Sequence, residues 1–151
     1  MKNRFFCVGL VCLALVGCAS GPIARQIQNS FPMNKDFDIA WQAVIETFAE
    51  MNLPIMNMEK VSGLITTDWI KQDDPQASDC GKMGVLSYGV GRRVKFNVFV
   101  KKVGDTSEIK VNAMFEVLVK RYGIETIGMS PCYSTGKFER QIYDLVSAKI
   151  K

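Results

Sequence analysis

Two stretches decide the fold: Arg92-Arg93-Val94-Lys95-Phe96-Asn97-Val98-Phe99-Val100-Lys101-Lys102-Val103 and Ile109-Lys110-Val111-Asn112-Ala113-Met114-Phe115-Glu116-Val117-Leu118-Val119-Lys120. In the first, Val94, Phe96, Val98 and Val100 fall on one side, and Arg93, Lys95, Asn97, Phe99 and Lys101 on the other. In the second, Ile109, Val111, Ala113, Phe115, Val117 and Val119 share a side opposite Lys110, Asn112, Met114, Glu116, Leu118 and Lys120. A period of two over such lengths is the signature of a half-buried strand. Gly104-Asp105 lies between them as a turn. The expected unit is an antiparallel pair with one buried face and one wetter face.

Working outward, Phe37, Trp41, Val44, Ile45, Phe48 and Met51 recur at three- and four-residue spacing, which predicts a helix over 36–51. Asn34 or Asp36 can cap it, and Asn52 and Pro54 stop it. Residues 55–58 and 64–70 are predicted strands around a Val61-Ser62-Gly63 turn. Residues 72–91 are predicted to be a long loop that carries Cys80. Phe138, Ile142, Leu145, Val146 and Ile150 predict a last helix, capped by Ser134 or Thr135. Ile23, Ile27 and Phe31 leave room for a further N-terminal strand. The expectation is an α+β two-layer sandwich: an antiparallel four-stranded sheet with both helices on one face.

The chain opens with Lys2 and Arg4, then an apolar run from Phe5 to Val16, then Leu15-Val16-Gly17-Cys18 across its end. A bilayer-spanning helix needs about 20 residues, so this run is too short to span and suits a signal peptide. The pattern resembles the lipobox of bacterial lipoproteins. That resemblance implies cleavage before Cys18, diacylglycerol on its thiol and anchoring to a membrane by lipid. By the same resemblance, Ala19 in the following position, where an Asp would favour the inner membrane, implies the outer membrane, with the domain on the periplasmic side. The expected organisation is a signal peptide over 1–17, a lipidated N-terminus and tether over 18–35, and one domain over 36–151. Loss of Lys2 and Arg4 brings the formal net charge from +4 to about +2. The basic residues form no clustered stripe of the kind nucleic acid needs, and no nucleic-acid partner is expected.

Cys7 and Cys12 leave with the leader, and lipid takes Cys18, so Cys80 and Cys132 remain. In an exported, oxidising compartment such a pair reads as a disulfide. Two separate thiols and a redox site are the alternatives, and the lack of a Cys-x-x-Cys speaks against the second.

Little in the chain points to catalysis, and no enzyme is expected. The sequence has no histidine, so a Ser-His-Asp mechanism has no base. Ser134 with Lys137 offers only a formal Ser-Lys pair. Asp73, Asp74 and Asp79 match no calcium loop, and neither a metal nor a cofactor is expected. Gly89-Val90-Gly91 lacks the strand-then-helix setting of a phosphate loop. Ser134-Thr135-Gly136-Lys137 lacks the spacing of one. The wetter strand face mixes Phe99, Met114 and Leu118 with Arg93, Lys95 and Lys101, the make-up of a partner-binding surface. Cover by another element of the chain is the competing reading.

Phe37-Asp38-Ile39-Ala40-Trp41, Lys60-Val61-Ser62-Gly63-Leu64-Ile65-Thr66-Thr67-Asp68-Trp69 and Ser134-Thr135-Gly136-Lys137-Phe138-Glu139 together resemble the helix-grip domain of the BamC family of outer-membrane assembly lipoproteins. The resemblance covers roughly residues 36–150. Members of that family carry two such domains and a long N-terminal docking segment, whereas one domain and a short tether are read here. The resemblance implies a non-catalytic accessory that binds or scaffolds during β-barrel assembly in the outer membrane. A lipoprotein that binds another envelope ligand, such as peptidoglycan or a secretion component, is the alternative.

Overall fold

The computed structural model describes residues 19–151; the expected signal peptide and the expected lipidation site, Cys18, lie outside the described residues. The elements are β1 (Ser30–Met33), α1 (Phe37–Glu50), β2 (Ile55–Glu59), β3 (Leu64–Thr67), β4 (Ile70–Gln72), β5 (Ser78–Asp79), β6 (Ser87–Val103), β7 (Thr106–Arg121), β8 (Ile124–Ser134) and α2 (Lys137–Lys149). They build an eight-stranded antiparallel sheet in the order β2-β3-β6-β7-β8-β5, with β1 added on β7 and β4 on β6. The four-stranded helix-grip sandwich expected from the sequence is therefore wrong: the molecule is mostly sheet.

Each added strand has a local cause. The expected strand over 64–70 breaks at Asp68-Trp69, where the Asp68 carboxylate accepts the Trp69 N–H at 2.6 Å and Asp68 N–H donates to Pro54 O. The two halves, β3 and β4, then pair with successive parts of β6, at Ile65↔Val98 and Ile70↔Val94. Thr67 Oγ1 accepts the Phe96 N–H at 2.9 Å and bridges the break. β6 begins five residues before Arg92, in the expected loop, because the ladder continues through a bulge between Val90 and Arg92. β8 takes a stretch for which no element was expected. Its Pro131 is tolerable because only β5, at Asp79↔Tyr133 and Ser78↔Ser134, covers its outer side. Phe31 belongs to β1, whereas Ile23 and Ile27 precede it outside any strand.

β6 and β7 pair from Ser87↔Arg121 to Val103↔Thr106 around Gly104-Asp105. Val94, Phe96, Val98, Val100, Ile109, Val111, Phe115 and Val117 are buried on one face. Ala40, Trp41, Val44 and Phe48 of α1 and Ile142 and Val146 of α2 join the same core. Phe48 meets Phe96 at 6.3 Å between ring centroids, and Phe138 meets Phe96 and Phe115 at 6.1 and 5.7 Å. Each such side chain contributes about 1.5–3 kcal/mol on burial. Asp36 caps α1, its carboxylate accepting the Ile39 N–H at 3.0 Å.

The start of α2 differs from expectation. Gly136, in the left-handed region, holds the cap position, and no side chain caps the helix. Ser134 Oγ instead accepts the Gly136 N–H at 3.0 Å and donates to Glu139 Oε2 at 2.8 Å. Glu139 is buried, at 1% exposure. β1 pairs with β7 over Ser107–Lys110, and β8 pairs with it from Phe115 onward. In the gap, Val111 N–H donates to Asn29 O, and Ala113 N–H donates to Glu139 Oε1 at 3.2 Å. The carboxylate completes a strand edge that no neighbouring strand reaches.

Cys80 and Cys132 form a disulfide across 52 residues. It ties the segment after β5 to β8 beside the core, since Cys132 pairs in register with buried Phe115.

Candidate functional site

Both helices pack on one face of β6 and β7, so among the described residues no helix covers the other face. Cross-strand register arranges that open face in rows. One row runs Leu64, Phe99, Lys110 and Ser30, and the next pairs Lys101 with Glu108. Further along come Lys95 beside Met114, Arg93 beside Glu116, and Val90, Leu118 and Met129. Phe99 is 39% exposed, Met114 44% and Met129 39%, while Leu118 is half-buried.

The sequence-predicted binding residues do not gather into one patch. Phe99 and the Leu118 row are nine positions apart along β6, about 30 Å at a strand's rise. Met114, opposite Lys95, sits about 13 Å from the Phe99 row. The result is a long stripe with apolar side chains at intervals.

Arg93 is committed within the fold. Its guanidinium donates to Glu116 Oε2 at 2.9 and 2.6 Å, and it lies 4.4 Å from the centre of the Trp69 ring. Lys95 Nζ lies 4.9 Å from the same ring. The indole face holds both cations in place, at about 0.5–1 kcal/mol for each exposed contact. This role of Trp69 has no local signature, because it follows from the break between β3 and β4.

Around Phe99 the stripe opens into a cleft of about 750 Å³. Its walls include Lys60, Val61, Ser62 and Gly63 of the β2–β3 turn, Phe37 and Asp38 of α1, and Lys101, Lys102, Glu108 and Lys110. Lys60 is paired with Asp38 at 2.8 Å, and Glu108 accepts from Ser30 Oγ at 3.0 Å. Lys101, Lys102 and Lys110 outnumber the one remaining carboxylate, Glu108, so the cleft is net positive. Gly63 shapes it: at φ 70°, a Cβ there would stand 2.0 Å from Val100 O, so only glycine lets the turn lie against β6.

The loop aspartates are placed apart. Asp73 pairs with Lys71 and Asp74 with Lys137, while Asp79 accepts the Gly81 N–H and faces Arg25 at 3.8 Å. Hydrogen bonds from Lys137 Nζ and then the Gln76 N–H hold the Asp74 carboxyl below its ordinary range. Among the described residues, no cluster of three or more acidic, cysteine or histidine side chains is placed to hold a metal ion. Gly89-Val90-Gly91 lies within β6, and Ser134 is occupied by Gly136 and Glu139. No helix among the described residues is long and apolar enough to cross a membrane.

Compared with known proteins, the chain matches no family model and no curated protein sequence.

Proposed function

We propose that this chain is a lipid-anchored, non-catalytic binding protein of the bacterial envelope, tethered through Cys18 to the outer membrane and acting as an accessory to β-barrel assembly. The observation that carries the binding role is the uncovered sheet face, where Phe99, Met114, Leu118 and Met129 stand among Lys95, Lys101 and Lys110. Apolar groups rimmed by cations match a partner protein whose own face is acidic with apolar centres. The anchoring role rests on the run that ends in Leu15-Val16-Gly17-Cys18, and the non-catalytic reading on the lack of histidine in the sequence. A second reading, an envelope lipoprotein that holds a carboxylate-bearing ligand such as peptidoglycan, draws on the cationic cleft beside Phe99.

Two experiments test this. Metabolic labelling with palmitate is expected to mark the wild-type chain and to miss Cys18→Ser; equal labelling of both removes the anchor. Crosslinking in the envelope, then affinity capture and mass spectrometry, is expected to recover barrel-assembly subunits. Recovery of glycan alone favours the second reading, and capture that survives Phe99→Asp together with Lys101→Glu removes the sheet face from the binding role.

A further inference from the structure

The N-terminal segment is fastened beside one end of the β6–β7 ladder. Ser20 N–H donates to Lys82 O at 3.2 Å, and Lys82 N–H donates back to Ser20 O at 2.8 Å. Gly81 lets the two segments close up: its φ is 72°, and a Cβ there would stand 2.5 Å from Ser20 O. Arg25 faces Asp79 at 3.8 Å and adds a second tie to the same stretch. One chain step spans about 3.8 Å, so lipid carried by Cys18, two residues before Ser20, would enter a membrane close to this point.

The surface at this point is apolar. After Lys82 the chain passes Val85, 82% exposed, and Leu86, 57% exposed, before β6 begins. Their backbone is held, since Ser87 N–H donates to Gly84 O and Tyr122 N–H to Leu86 O. The packing of the domain does not use these two side chains, whereas Met83 turns inward against the core. Tyr88 and Tyr122 stand beside them with ring centroids 5.1 Å apart. Cations flank the group: Lys120 lies opposite Tyr88 and Arg121 opposite Ser87, and Lys82 is exposed. Aliphatic side chains enter the boundary of the acyl chains, tyrosines settle at headgroup level, and Lys and Arg meet anionic headgroups.

We infer that Val85, Leu86, Tyr88 and Tyr122 form a docking patch that seats on a phospholipid surface with anionic headgroups, beside the lipid anchor. The inference rests on the anchoring at Cys18 proposed above, and it adds an orientation to that tether. Phe99 lies eleven positions beyond Tyr88 along β6, about 35 Å at a strand's rise. Docking at Val85 and Leu86 therefore holds the cationic cleft away from the bilayer, open to a partner.

Val61 provides the internal control, because it is 98% exposed but belongs to the wall of that distant cleft. The protein as isolated from the envelope is placed on vesicles of phosphatidylethanolamine and phosphatidylglycerol that carry a trace of phospholipid with a diazirine in its acyl chain. Irradiation inserts the carbene into side chains that touch the lipid, and mass spectrometry maps the sites. Val85 and Leu86 are expected to be labelled at least about fivefold more heavily than Val61, within the roughly tenfold that burial of one such side chain is worth. Val85→Asp with Leu86→Asp is expected to level the pattern while palmitate labelling persists. Tyr88→Ser with Tyr122→Ser serves the same purpose if the first variant does not fold. Palmitate on the chain with equal label at Val61 and at Val85 and Leu86 overturns the docking patch and leaves the anchor standing. A pattern unchanged in the variants also overturns the patch. A chain that carries no palmitate overturns the anchor, and the patch with it.

Discussion

Replacing Glu139 separates the two things its carboxylate does. It accepts hydrogen bonds from Ala113 N–H and Ser134 Oγ, and it carries a buried charge. Burial, first of all, pushes its pKa above the ordinary 4.5, against the hydrogen bonds that favour the ionised form. In that window the folded state binds the proton more tightly than the unfolded state. The group's contribution is thus fully present below the unfolded pKa and is lost as pH rises through the folded one. Glu139→Gln keeps an acceptor for Ala113 and places an amide donor toward Ser134, without the charge. It is expected to lie within about 1 kcal/mol of wild type at neutral pH and to gain on it as pH rises from 4.5. Glu139→Ala orphans both donors and opens a void, at a cost of about 2–4 kcal/mol. Urea unfolding followed by Trp41 and Trp69 fluorescence, repeated across pH, measures all three. The difference between wild type and Glu139→Gln cancels the other carboxylates. A difference that stays flat, or that runs in the wild type's favour as pH rises, refutes the account of a desolvated carboxylate. So does an amide variant as damaged as the alanine one.

Three further outcomes are expected. Denatured, unreduced protein is expected to show neither Cys80 nor Cys132 to a thiol reagent, and reduction to cost up to about 4 kcal/mol in urea unfolding, the loop-closure entropy of the 52-residue separation. Gly63→Ala meets Val100 O and a left-handed backbone, so a loss of at least about 2 kcal/mol is expected in the same assay. Phe99→Asp and Met114→Asp lie on exposed positions and are expected to change stability by less than about 1 kcal/mol while weakening partner capture; large losses in thermal unfolding would mean that the face is core.

The readable parts of the sequence were those where side chain and backbone period agree. β6 alternates from Arg93 to Lys101 and β7 from Ile109 to Lys120, and the inward residues named from that alternation are buried, apart from half-buried Ala113 and Val119. α1 was equally plain, from its three- and four-residue spacing and Asp36. β8 was hidden because Gly128 and Pro131 break the pattern, and because a strand near a sheet edge need not alternate strictly. The split of β3 from β4 depends on Asp68 bonding to its neighbour's backbone, which no periodicity carries. For the site, outward alternation identified Phe99, Met114 and Leu118, but only register reveals that they form a stripe. Nothing local to Trp69 announces that it holds Arg93 and Lys95. Gln72 looked like the first residue of a loop, but it ends β4 in register with Arg92 of β6 and is buried.

The same two strands explain why this fold can offer two unlike surfaces. Alternate residues of β6 point to opposite sides, so Val94, Phe96 and Val98 commit one side to a closed apolar layer under α1 and α2. The other side is then left to Lys95, Asn97 and Phe99, with no helix in the described chain to cover it. A sheet of this width, covered on one side only, must solvate its second face or lend it to a partner. Lysines between apolar side chains do both: the long side chains shield neighbouring carbons from water, and the ammonium groups keep the face soluble. The Arg93–Glu116 pair and the Trp69 ring fix the middle of that face, while the cationic cleft at one end and the Leu118–Met129 row at the other stay open. A partner that engages the stripe therefore meets cations already oriented at its centre, between the cleft at one end and the Leu118–Met129 row at the other.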